Sequence, residues 1–201
     1  RADAEAVADV LRRTCQGEVD VNHTQRRLTV AAGDVADRLF AVFRDLDAAD
    51  LRGVVETLNR MRLEGPQGRP SQGLTRYWIA PNWRVQAGGG ACRVVHVDVS
   101  VEVVITLPRW RAVRGRPVEE REGWARIETA IREHEYGHRD LTVAAAGELR
   151  EEMAGLSARG CGTLRDVVSS TISIVNGRLE EAHAELDRDT PPRISIRPGG
   201  R

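Results

Sequence analysis

Ile127-Glu128-Thr129-Ala130-Ile131-Arg132-Glu133-His134-Glu135-Tyr136-Gly137-His138-Arg139-Asp140-Leu141 carries His-Glu-x-x-His at the centre of a helical pattern. Ile127, Ile131, Leu141, Ala145 and Leu149 mark one face of that helix, and both histidines fall on it. Four residues apart, His134 and His138 lie one turn apart on the same side, so both imidazoles can reach one ion at about 2.0–2.1 Å. Glu135 projects beside such an ion, where it can polarise a zinc-bound water, take its proton and pass it to a leaving amine. With five histidines in 201 residues, a chance match is expected about once in a hundred such chains. The competing reading is two satisfied core histidines. It has to pay for two basic side chains facing a core, a cost that a metal removes.

Outward from the motif, Pro117 suits a helix start, with Glu119 and Glu120 in the first turn, where the helix dipole favours them. The helical face runs from there through Trp124 to about Leu156, with candidate breaks at Gly123, Gly137 and Gly147, and Gly160-Cys161-Gly162 closes it. A catalytic zinc site needs a third protein ligand and an open position. Ala144 stands six residues after His138, which excludes a local third histidine. Glu148 lies about 15 Å along the axis. The ligand is therefore expected from the last helix, about Leu164 to Asp187, whose seam is Val168, Ile172, Val175, Leu179, Ala182 and Leu186. Asn176, His183 and Asp187 line one flank of that seam, with His183 the first choice and Asp187 the second. If His183 binds no metal, it is a boundary residue satisfied by water or a neighbouring carboxylate.

Upstream, Val95, Val97, Val99, Val101, Val103, Ile105 and Leu107 alternate with His96, Asp98, Ser100, Glu102, Val104 and Thr106, which predicts a half-buried antiparallel strand ended by Pro108. Gly88-Gly89-Gly90 reads as a turn, and Leu74 to Arg84 as an aromatic-rich strand with a break at Pro81-Asn82. Glu64 to Pro70 reads as a loop, Val35 to Arg62 as helix interrupted near Asp47 to Asp50, Val19 to Val30 as a strand or hairpin, and Asp3 to Arg13 as a short amphipathic helix. The pattern gives an α+β chain with a helical extension over residues 1–18, one domain over 19–190 and a flexible tail over 191–201.

Thirty acidic side chains balance thirty basic ones, all of them arginine. No basic excess supports nucleic-acid or polybasic membrane binding, and no apolar run approaches the roughly 18 residues of a membrane span. Cys15, Cys92 and Cys161 are too few and scattered for a zinc ribbon; one disulfide with a free thiol, or three reduced thiols, both remain open. None has the context of a nucleophile. His96, Asp98 and Glu102 share a strand face that reads more simply as solvated than as a metal site. Of two tyrosines that could stabilise an oxyanion, Tyr77 is the better placed, because Tyr136 points away from the histidines.

A valine-rich strand ending Leu107-Pro108-Arg109-Trp110, Trp124, His134-Glu135-Tyr136-Gly137-His138-Arg139-Asp140 and the two cysteines Cys92 and Cys161 together resemble a bacterial family of predicted secreted zinc-dependent proteases over roughly residues 25–190. The resemblance implies a zincin-like fold, export from the cytoplasm, with the signal segment outside this chain, and a Cys92–Cys161 disulfide. The family ends in tyrosine-aspartate followed by threonine-x-histidine-glycine. Here Asp187 and Thr190 match, while Leu186 and Pro192 stand for the tyrosine and the histidine. Two functions follow. One is a zinc metalloendopeptidase holding one Zn²⁺ on His134, His138 and His183 or Asp187, with Glu135 as general base and a peptide or protein substrate laid along the Val95–Leu107 strand as an edge. The other keeps the fold but not the turnover, as a cell-envelope binding module.

Overall fold

The computed structural model describes residues 35–61, 63–64 and 70–189. The extension over 1–18, the Val19 to Val30 hairpin and the tail over 191–201 lie outside them. The architecture is α+β: a mixed sheet carrying long helices. The sheet is built from β1 (Val35–Leu46), β4 (Leu74–Gly88) and β5 (Ala91–Trp110), with two-residue strands β2 (Leu63–Glu64) and β3 (Pro70–Ser71) pairing separately. The helices are α1 (Leu51–Arg60), α2 (Val118–Met153) and α3 (Cys161–Asp189). A further short strand, β6 (Ser157–Ala158), sits between α2 and α3 and pairs with Cys92 and Arg93 of β5.

The strand order β1-β5-β4 corrects two expectations. Residues 35–46 are strand rather than helix. Their Val, Leu and Phe content fits either period, and parallel pairing along Val99 to Trp110 of β5 decides between them. The polar step at Asp47 to Asp50 is the strand-to-helix boundary, where the Asp50 carboxylate caps α1 by accepting from Gly53 N at 2.7 Å. The second correction concerns β5. It is the centre of the sheet, bordered by parallel β1 over Val99 to Trp110 and by antiparallel β4 over Ala91 to Thr106, so from Val99 to Thr106 it has no free edge for an extended peptide.

β5 alternates as the sequence predicts between Val97 and Glu102, but Val95 is half exposed. The register with β4 shifts at Arg84/Val85, where Val94 faces Val85 and His96 faces Arg84, leaving Val95 as the extra residue of a bulge. The bulge exchanges the two faces, which turns Cys92 and Val94 inward. Cys92 thereby meets Cys161 at the start of α3, and the two form a disulfide. Pro108 does not end β5. It lies past Thr106, the last residue paired to β4, so on that side there is no ladder for a missing N–H to interrupt. Pro81 likewise leaves β4 unbroken, as is permitted in a strand that is at the sheet edge among the described residues.

The core forms where the inward face of β5 meets Ile131, Leu149 and Met153 of α2 and Leu164, Val168, Val175 and Leu179 of α3. α2 runs 36 residues without a break. Both glycines stay within the helix: a Cβ at Gly123 would collide with the Leu51 side chain, and one at Gly137 would sit 3.0 Å from that of Leu186. These glycines mark close approaches rather than stops. Among the described residues no helix is long and apolar enough to cross a membrane.

The disulfide closes a loop between residues 69 apart in sequence. In the chain-entropy model, reducing it lowers the unfolding free energy by about 4 kcal/mol. Urea unfolding with and without reductant measures this, and a thiol titration of the denatured, unreduced chain should find one free thiol. Three would contradict the bond.

Candidate metal centre

α2 and α3 pack antiparallel, as three successive contacts along them record. Asp187 of α3 reaches His134 and His138, His183 reaches His138 and Thr142, and Arg178 reaches Glu148 and Glu152. The first of these contacts is the site. His134 Nε2 and His138 Nε2 lie 3.2 Å apart, and Asp187 Oδ1 lies 3.2 Å from the first and 3.1 Å from the second. A tetrahedral zinc with ligands at about 2.0–2.1 Å separates neighbouring ligand atoms by about 3.3 Å. Two imidazole nitrogens and one carboxylate oxygen in a triangle of this size can hold a metal ion and leave a fourth position open.

Asp187, the second choice from sequence, therefore stands where the two Nε2 atoms converge. His183, the first choice, does not. Its Nδ1 lies 2.9 Å from His138 Nδ1, on the ring edge opposite the triangle. Both residues flank the same seam of α3. The antiparallel packing carries Asp187 alongside the motif and sets His183 one turn farther on, beside Thr142.

Glu135 is 2% exposed. Thr75 Oγ1, at the start of β4, lies 2.7 Å from the Glu135 carboxylate and 3.1 Å from its backbone carbonyl. Gly73 leaves the room: a Cβ at that position would lie 2.6 Å from Glu135 Oε1. Burial raises the Glu135 pKa to about 7; the Thr75 hydroxyl opposes the shift and the Asp187 charge adds to it. Burial also lowers the His138 pKa, and lowers that of His183 to about 4 with help from the His138 charge. Both rings are thus held toward the neutral form, which for His138 is the form that metal binding requires.

Tyr77 lies against the site with its ring 4.9 Å from that of His183, and burial raises its pKa. Tyr136 is exposed. His96 and Asp98 pair with each other at 2.6 Å, and among the described residues no third donor joins them closely enough to hold an ion. Thr75, Gly73 and Thr142 are absent from the sequence reading. Thr75 is 60 residues from Glu135, and nothing in its local pattern announces the contact.

A family model described as "Bacterial protein of unknown function (DUF922)" matches residues 43–191. The chain belongs to that family. No curated protein and no solved structure matches it.

The buried carboxyl makes a prediction for the chelated, metal-free protein. A group whose folded pKa is raised contributes stability that is complete below its ordinary value of 4.5 and is lost as pH rises through about 7. Glu135→Gln does not titrate. Its stability relative to wild type should therefore rise between pH 4.5 and 8 by up to about 3 kcal/mol. Denaturant unfolding at both pH values measures this, and a pH-independent difference would contradict the burial argument.

Proposed function

We propose that this chain is a zinc-dependent metalloendopeptidase of zincin-like architecture, acting outside the cytoplasm. The observation that carries the reading is the triangle of His134 Nε2, His138 Nε2 and Asp187 Oδ1, with the Glu135 carboxyl on the adjacent residue of the same helix. His134, His138 and Asp187 would hold the ion. When bound, it supplies Lewis acidity, which acidifies water and polarises a peptide carbonyl. A metal in the site also adds a positive charge that favours the ionised form of Glu135.

The remaining roles belong to the chain. Glu135 takes the proton from the attacking water and returns it to the leaving amine. Thr75 holds the Glu135 carboxyl by one hydrogen bond and keeps it in one orientation. Among the described residues the long strand β4 pairs only with β5, and its first residues lie against Glu135, so β4 is the strand along which an extended peptide would pair. The Cys92–Cys161 bond fits an oxidising compartment and supports export.

A second reading rests on the 2% exposure of Glu135. A carboxyl this enclosed suits a zinc-holding binding protein of the cell envelope that turns nothing over. The two readings part on one experiment. The peptidase reading predicts one zinc per chain by elemental analysis, peptide hydrolysis by wild type, and a roughly 10²–10⁴-fold lower rate in Glu135→Ala. Zinc with no turnover in either protein supports the binding module, and a chain that takes up no zinc overturns both. Asp187→Ala should fail to retain zinc through dialysis, whereas retention at the wild-type level would remove Asp187 from the ligand set.

A further inference from the structure

His183 is 8% exposed and sits behind His138, where an apolar residue would fill the same space. Its Nδ1 lies 2.9 Å from His138 Nδ1, so one of the two nitrogens carries a hydrogen and the other accepts it. Its Nε2 lies 3.5 Å from Thr142 Oγ1. That hydroxyl donates to the His138 backbone carbonyl at 2.8 Å and presents only lone pairs to the ring. A hydrogen on His183 Nε2 would face those lone pairs, and in that tautomer its Nδ1 is the acceptor. His138 then carries its own hydrogen on Nδ1, which leaves its Nε2 bare, 3.1 Å from Asp187 Oδ1 and 3.2 Å from His134 Nε2. A bare nitrogen facing a carboxylate oxygen is what a cation requires. The opposite tautomer places a hydrogen on His138 Nε2 and closes the site. The Tyr77 ring, 4.9 Å from His183 and inclined at 32°, packs on the imidazole and fixes its plane.

We propose that His183 is a positioning residue: by accepting the Nδ1–H of His138 it selects the tautomer and ring orientation in which His138 Nε2 binds the metal. The inference rests on the reading of His134, His138 and Asp187 as a metal site. Its test is made with the metal alone and needs no substrate. His183→Phe keeps a ring against Tyr77 and removes the acceptor, while His183→Asn restores an acceptor near the position of Nδ1. Zinc affinity is measured by chelator competition, and the coordination number from the visible spectrum of the Co²⁺-loaded proteins. Circular dichroism of the metal-free variants confirms that each is folded.

The Phe variant should bind zinc about 10–100-fold more weakly than wild type. The Asn variant should recover most of that loss, and all three Co²⁺ spectra should report the same coordination number. Equal affinity in wild type and the Phe variant overturns the inference and leaves the metal site standing. So does an Asn variant as weak as the Phe variant. A lower coordination number in the Phe variant overturns it as well, by making His183 a ligand. A wild-type chain that takes up no zinc overturns the metal site and the inference together.

Discussion

The approach of α3 to α2 at Gly137 is the constraint on which the site depends. A Cβ on residue 137 would meet the end of the Leu186 side chain at 3.0 Å, so Leu186 packs closely over Gly137 one residue before Asp187. Without that approach the Asp187 carboxylate would stand off from the imidazoles, and His134 and His138 would be two buried bases lacking a third partner. The antiparallel run of the helices extends the same contact in both directions. It sets His183 beside Thr142 and, farther along, Arg178 between Glu148 and Glu152. The Cys92–Cys161 bond ties the start of α3 to the inward face of β5.

The polar groups at this contact are kept in order by their neighbours. Glu135 is held by Thr75 from the sheet, His138 by His183 from α3, and His183 by Tyr77 from the sheet again. A buried polar cluster that is fully paired specifies one arrangement, whereas a partly paired one is costly. The donors converge on one small triangle. A cation there would satisfy the lone pairs that otherwise face one another across about 3 Å.

Much of this was legible in the sequence, for reasons that can be stated locally. The four-residue spacing of His134 and His138, on a stripe with Ile131 and Leu149, places both rings inward without reference to the rest of the chain. The valine alternation of β5 likewise announces its buried face, up to the bulge at Val95. Three features were not legible. Val35 to Leu46 carries apolar residues that suit a helix or a strand, and only its pairing with β5 separates them. His183 and Asp187 share one flank of one helix, so the choice between them depends on how far α3 slides along α2. The Thr75 contact and the Gly73 clearance join residues about sixty positions apart and have no periodic signature.

His134, His138 and Asp187, where α2 and α3 meet, are proposed to hold one metal ion. Anomalous diffraction from zinc-loaded crystals tests it most directly. One strong zinc peak is expected within about 2.0–2.2 Å of both Nε2 atoms and of an Asp187 carboxylate oxygen, with His183 Nδ1 still on His138 Nδ1. A peak ligated by His183 in place of Asp187, or no peak between the two helices, would contradict it.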